Sequence, residues 1–200
     1  MRFAALATDF DGTIAHEGVV EPSTVEALRR AKAAGLQLLL VTGRELASLF
    51  NTFAETAVFD LIVAENGAVL YRPDSGKVEQ LAAPPPPALI EALTKENVPF
   101  SVGHSIVATV EAYGPQLYGA IRALDLAWEV IPNKDALMAL PTATASPHTR
   151  SSALPSLKRL AHVVTTNDNG QGTIELIDAL VTGAIGNLRP TGPEVAPHGG

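Results

Sequence analysis

The 200-residue chain contains no cysteine, which excludes disulfides, thiolate metal sites and cysteine nucleophiles. It also has no basic run: fourteen Lys and Arg stand against twenty-one Asp and Glu, a net charge of −7. Nucleic acid and anionic membrane surfaces are bound by clustered cations, so neither is expected as a partner. No apolar run approaches the length that spans a bilayer. No signal-like segment opens the chain, since Arg2 leads straight into a strand pattern, and the expected location is cytoplasmic. What is present fits a folded protein: 46% apolar and 18% charged residues, in a chain long enough for one core or a core plus a small module.

Strand and helix patterns alternate through the first half, which predicts a parallel sheet with helices on its faces. Residues 3–8 read as a short, fully apolar, buried strand. A helix is predicted over 23–34, with Pro22 and Ser23 at its start, Val25, Leu28 and Ala31 on one face, and Gly35 past its end. Strands follow at 36–41 and 60–64, with a helix at 45–54 between them. Asn66-Gly67 and Asp74-Ser75-Gly76 mark turns around an apolar segment, 68–71.

Pro84 to Pro87 read as a stiff connector. Beyond it the pattern becomes helix (88–97), hairpin (100–103 with 106–111), helix (114–126) and hairpin (127–131 with 135–140). That order describes a small α+β module inserted into the first domain. A helix at 154–160, a strand at 162–165 and a helix at 173–182, after Gly170-Gln171-Gly172, complete the expected elements. The tail from Gly183 is expected to be disordered.

The chemistry concentrates at Asp9-Phe10-Asp11-Gly12-Thr13, where a strand gives way to a glycine turn. One carboxylate there can attack phosphorus while a second protonates the leaving oxygen, with a cation neutralising phosphate charge. Open α/β sheets bind ligands at this carboxyl edge, and Gly12 and Thr13 let the backbone approach a phosphate closely. About one β/α unit later a second strand ends in Thr42-Gly43-Arg44, offering a hydroxyl and amides to phosphate oxygens.

These residues, with Ala64-Glu65-Asn66-Gly67-Ala68 and the stretch from Ala153-Leu154-Pro155 through Ile177, resemble the haloacid dehalogenase superfamily of phosphohydrolases. The likeness is to the Cof-type branch, in which an α+β cap follows the third strand. The resemblance implies a Rossmann-like α/β core over 1–82 and 142–182, a cap over 83–141 and a tail over 183–200. It implies that Asp9 is the nucleophile, Asp11 the general acid and base, and Mg2+ the cofactor. The magnesium would be held by the Asp9 carboxylate and the Asp11 backbone carbonyl. Gly12, Thr13, Thr42 and Gly43 would bind phosphate, and Arg44 and Asn66 would face the cap. The implied substrate is a small phosphorylated metabolite.

Two elements of that family's pattern are missing, so the core is expected to be incomplete. A Lys and a Gly-Asp-x-x-x-Asp motif belong between the cap's last strand and the ending, yet 142–152 contains no Lys, Asp or Glu. About two β/α units, roughly 30 residues each, are absent there. The triplet Ala-Leu-Pro flanks the gap at 139–141 and 153–155. Asp168 is a candidate metal ligand, although its flanks match the family's terminal loop; Lys158 and Arg150 are candidate phosphate partners. The alternative reading is a relic that binds phosphate ligands without turnover. Five histidines (16, 104, 148, 162 and 198) show no metal-ligand spacing. Trp128 reads as cap core, and Glu65 either orients Asn66 or ends a strand.

Overall fold

The computed structural model describes residues 5–133, 135–142 and 169–182. The predicted helix at 154–160, strand at 162–165 and tail from 183 lie outside these, as do Asp168, Lys158 and Arg150. The chain forms two compact units, Met1–Leu38 with Ser151–Gly200, and Leu39–Arg150.

In the first unit, strand β1 (Ala5–Asp9) alternates, with Leu6 and Thr8 turned inward and Ala5, Ala7 and Asp9 exposed. The expected fully buried strand is therefore a one-faced strand. Small alanines and a polar threonine carry the period-2 pattern that an apolar count hides. A hairpin of β2 (Ala15–His16) and β3 (Val19–Val20) follows, turning through Glu17 (φ 49°) and Gly18 (φ 81°). Two consecutive left-handed residues make the tight turn favoured between antiparallel strands. Helix α1 (Pro22–Ala33) starts with proline at its first position, where the missing N–H costs nothing. It buries Val25, Ala27, Leu28 and Ala31. Past its end Gly35 adopts φ 90°, so that Leu36 N–H bonds Ala31 O and Gly35 N–H bonds Lys32 O, closing the orphan carbonyls.

The last helix, α5 (Asn169–Thr182), packs on α1. It begins four residues earlier than expected, taking Gly170 and Gly172 into the helix. The two helices approach closely there, since a Cβ on Gly170 would lie 2.3 Å from Thr24 Oγ1. Arg30 and Asp178 pair at 2.7 Å with both side chains half-exposed, an interaction worth roughly 0–1 kcal/mol.

The second unit begins within β4 (Gln37–Val41), whose Leu39–Val41 run parallel to β5 (Leu61–Ala64), with Leu40 opposite Ile62. Helix α2 (Leu46–Thr52) lies between them in sequence. Strands β6 (Val69–Arg72) and β7 (Lys77–Gln80) extend the sheet in antiparallel fashion. β7 escapes a sequence reading because all four residues are exposed, and backbone pairing to β6 rather than an apolar face holds it.

The inserted block is a four-stranded antiparallel sheet in the order β10-β11-β9-β8, with two helices. Its elements are α3 (Pro87–Lys95), β8 (Phe100–Val102), β9 (Val107–Val110), α4 (Gly114–Ala123), β10 (Trp128–Asn133) and β11 (Ala136–Pro141). Pro87 belongs to the first turn of α3, so the stiff connector is Pro84–Pro86. Both helices stop short of the expected 97 and 126, because Asn97 (φ 53°) and Asp125 (φ 50°) take the left-handed position that glycine fills after α1. One sheet face packs Leu89, Leu93, Val107, Leu117, Leu137 and Ala139 into a core with Trp128 against it. A smaller cluster of Ile106, Met138 and Leu140 forms separately. No helix among the described residues is long and apolar enough to cross a membrane.

Candidate active site

Asp9 is the last residue of β1, where backbone pairing gives way to a turn folded over its own strand. Phe10 is fully buried and anchors that turn: its carbonyl accepts from Thr13, Ile14 and Ala15 N–H at 3.3, 3.2 and 2.9 Å. Gly12 (φ 77°) reverses the chain and donates its N–H to Ala15 O at 2.9 Å. A Cβ at Gly12 would meet no atom within 4 Å, so glycine is required by backbone conformation and not by crowding. Of the two carboxylate residues that flank the buried anchor, Asp9 is exposed and Asp11 half-buried. Thr13 Oγ1 lies 3.5 Å from Asp9 Oδ2, and Thr173 of α5 donates to Thr13 O at 3.4 Å.

Partial desolvation raises the Asp9 carboxyl above its usual range, and the negative charge of Asp11 adds to the rise. The Phe10 backbone and the Thr13 hydroxyl oppose it. Asp9 keeps an exposed side chain, so the effect is crowding by neighbours and not full burial.

In the second unit the ends of β4 and β5 knit two loops together. Thr42 N–H bonds Val63 O at 2.8 Å, Glu65 N–H bonds Arg44 O at 3.1 Å and Asn66 N–H bonds Thr42 O at 3.3 Å. The buried Thr42 hydroxyl accepts the Arg44 amide at 3.1 Å, and it retains a proton that it can donate. Gly43 is required by close approach: a Cβ there would lie 3.0 Å from Asn66 Oδ1 and 3.3 Å from Met138 Cε. Asn66 thus faces the inserted block, its amide 3.9 Å from the Met138 sulfur. The Arg44 guanidinium donates to Thr52 Oγ1 of α2 at 3.1 Å.

Glu65 and Asn66 are both left-handed, at φ 53° and 54°, and Gly67 follows at 95°. Consecutive left-handed non-glycine residues are costly and persist where their surroundings over-determine them. The fully buried Glu65 carboxylate accepts His104 N–H at 2.9 Å and Ser105 N–H at 2.8 Å in the β8–β9 turn. Sequence reasoning left the role of this glutamate open, because its partners lie about forty residues away. Each predicted set of residues is thus assembled within its own unit: Asp9, Asp11, Gly12 and Thr13 in the first, Thr42, Gly43, Arg44 and Asn66 in the second. Among the described residues no group of three His, Asp or Glu could hold a metal ion.

The family profile for haloacid dehalogenase-like hydrolases matches residues 6–115, a span that covers both loops. The chain belongs to that family. Its α+β insertion after β5 to β7 is that of the Cof-type branch. Pyridoxal phosphate phosphatase YbhA of Escherichia coli (strain K12) is 34% identical over 104 residues, 49% of this chain. The match spans 38% of that relative's length. A haloacid dehalogenase-like hydrolase from Bacteroides thetaiotaomicron shares the fold, with a TM-score of 0.56 and 15% identity over 72% of this chain and 73% of the other. A Thermoplasma acidophilum protein does so at a TM-score of 0.51 and 12% identity, over 72% and 68%.

Proposed function

We propose that this haloacid dehalogenase-type chain is a phosphatase of small phosphorylated metabolites that works through an aspartyl-phosphate at Asp9. The observation that carries the reading is the turn that holds Asp9 and Asp11 two residues apart around a buried Phe10, with Gly12 reversing the chain beneath them. Asp9 would attack phosphorus as the ester oxygen leaves, and Asp11 would give that oxygen a proton. Asp11 would then take a proton from the water that cleaves the acyl phosphate, returning Asp9 and releasing inorganic phosphate. Thr42 and the Gly43 amide would hold a phosphate oxygen, while Arg44 and Asn66 would act on the cap side.

The donor set fits magnesium. Partial desolvation raises the Asp9 carboxyl and the charge of Asp11 adds to the rise; a divalent cation would offset both, and magnesium is commonly held by one or two carboxylates with water and substrate phosphate. When bound, it would supply charge neutralisation for the phosphoryl group. The name of the Escherichia coli relative makes pyridoxal phosphate the first natural substrate to try.

A second reading is favoured by one observation: 142–152 carries no Lys, Asp or Glu where the family pattern supplies a Lys and its distal acidic motif. The chain would then bind phosphate ligands without turning them over. The test is hydrolysis of an aryl phosphate and of pyridoxal phosphate by the full chain, with magnesium or EDTA, beside Asp9→Asn. Magnesium-dependent hydrolysis lost in Asp9→Asn is expected. A folded, inactive wild type that still binds inorganic phosphate would instead establish the second reading.

A further inference from the structure

A buried carboxylate joins the cap to the loop that follows β5. We propose that Glu65 is a cap-positioning residue, holding the β8–β9 turn against the Asn66 loop and so setting where Met138 stands over Gly43. The catalytic consequence rests on the phosphatase reading above; the latch itself does not.

A residue that merely ended β5 would have no need of a charge. The Glu65 carboxylate is withdrawn from solvent, and each oxygen takes a separate backbone amide, His104 N–H at 2.9 Å on Oε1 and Ser105 N–H at 2.8 Å on Oε2. His104 Nδ1 lies 3.3 Å from Oε1. The turn is shaped to receive the carboxylate, since a Cβ on Gly103 would lie 2.7 Å from Oε1. Charge-assisted bonds to backbone amides are among the stronger ones, and a buried carboxylate without them would be costly.

Other contacts grip the same turn. Gln80 Nε2 donates to His104 O at 2.7 Å and to Ser105 Oγ at 3.1 Å, and Ser105 Oγ donates to Ala82 O at 2.9 Å. Within β8, before the turn, Ser101 Oγ donates to Glu45 Oε1 at 2.5 Å, a separate tie to the residue that follows Arg44. Glu65 also hangs on the segment 42–44 through its backbone, its own N–H bonded to Arg44 O while Asn66 N–H bonds Thr42 O. Displacing the cap turn therefore pulls on the segment 42–44 through Glu65.

The experiment compares the full wild-type chain with Glu65→Gln and Glu65→Gly. Glutamine keeps the volume but offers one acceptor in place of two. Glycine removes the carboxylate while relieving the left-handed backbone, so strain does not confuse the result. Amide exchange at His104 and Ser105 should speed up roughly tenfold in Glu65→Gln and about tenfold to a hundredfold in Glu65→Gly. KM for an aryl phosphate should rise about fivefold or more. Turnover of acetyl phosphate, whose two-carbon leaving group gives the cap little to hold, should stay within about twofold. Unchanged exchange in Glu65→Gln would overturn the latch, including the case where Glu65→Gly does not fold. Equal losses on both phosphates would overturn the positioning role. If the wild type hydrolyses neither phosphate, the phosphatase reading fails, and the exchange rates alone uphold or refute the latch.

Discussion

Gly170 offers a close test of how α5 is seated beside the Asp9 loop. A Cβ at Gly170 would lie 2.3 Å from Thr24 Oγ1 and 3.4 Å from Ile14 O, and real Cβ atoms do not come so near as the first contact. Thr24 is fully buried on α1, and its hydroxyl finds no hydrogen-bond partner among the described residues. Gly170→Ala should therefore cost about 1–3 kcal/mol in overpacking, offset by about 1 kcal/mol from the better helix propensity of alanine. Thr24→Ala removes the obstructing oxygen. It loses a methyl, worth about 1 kcal/mol, and sheds an unsatisfied hydroxyl that costs about as much, so alone it should be near neutral. In the double variant the clash is gone and the propensity gain remains. The expected signature is a favourable coupling of about 1–3 kcal/mol in the double-mutant cycle. The assay must read the first unit. Trp128, the single tryptophan, belongs to the second, so fluorescence is the wrong probe and amide exchange along α1 and α5 the right one. Additivity within about 0.5 kcal/mol would show that Gly170 does not abut Thr24 and would refute the argument for glycine there.

Asp9 carries a pH-dependent prediction. Its folded carboxyl titrates above the ordinary aspartate range, so folding is favoured by protonation and this group opposes stability once ionised. In EDTA, Asp9→Asn should be more stable than wild type at neutral pH. The advantage should shrink as pH falls through the raised value and vanish below the unfolded one; a difference independent of pH, followed by thermal melts, would contradict the shift. Leu117→Ala in the cap core, where Leu117 is fully buried, should cost about 2–5 kcal/mol and lower the urea midpoint seen by Trp128, which packs against the same cluster. No movement of that midpoint would mean that Trp128 does not report on this core.

Much of the architecture was legible because the relevant signals are local. Pro22 and Gly35 bracket α1, the apolar run 38–41 marks β4, and the two cap hairpins appear where glycine or asparagine interrupts apolar segments. The Asp9 and Thr42 loops could likewise be found by spacing, since their residues are neighbours in sequence. The misses have a common cause. The strand β7 has no apolar face, the glycines of α5 make sense only against Thr24, and Asn97 and Asp125 end their helices in a conformation that composition suggests only weakly.

By itself, the sequence determined the family, the order of most elements and where the two candidate loops at Asp9 and Thr42 lie, because each rests on contiguous motifs and short periodicities. Tertiary structure alone decided that Glu65 grips the cap turn and that Gly43 must stay small beneath Asn66 and Met138. Those depend on which distant atoms share a few ångströms, a property that packing settles and spacing along the chain does not encode.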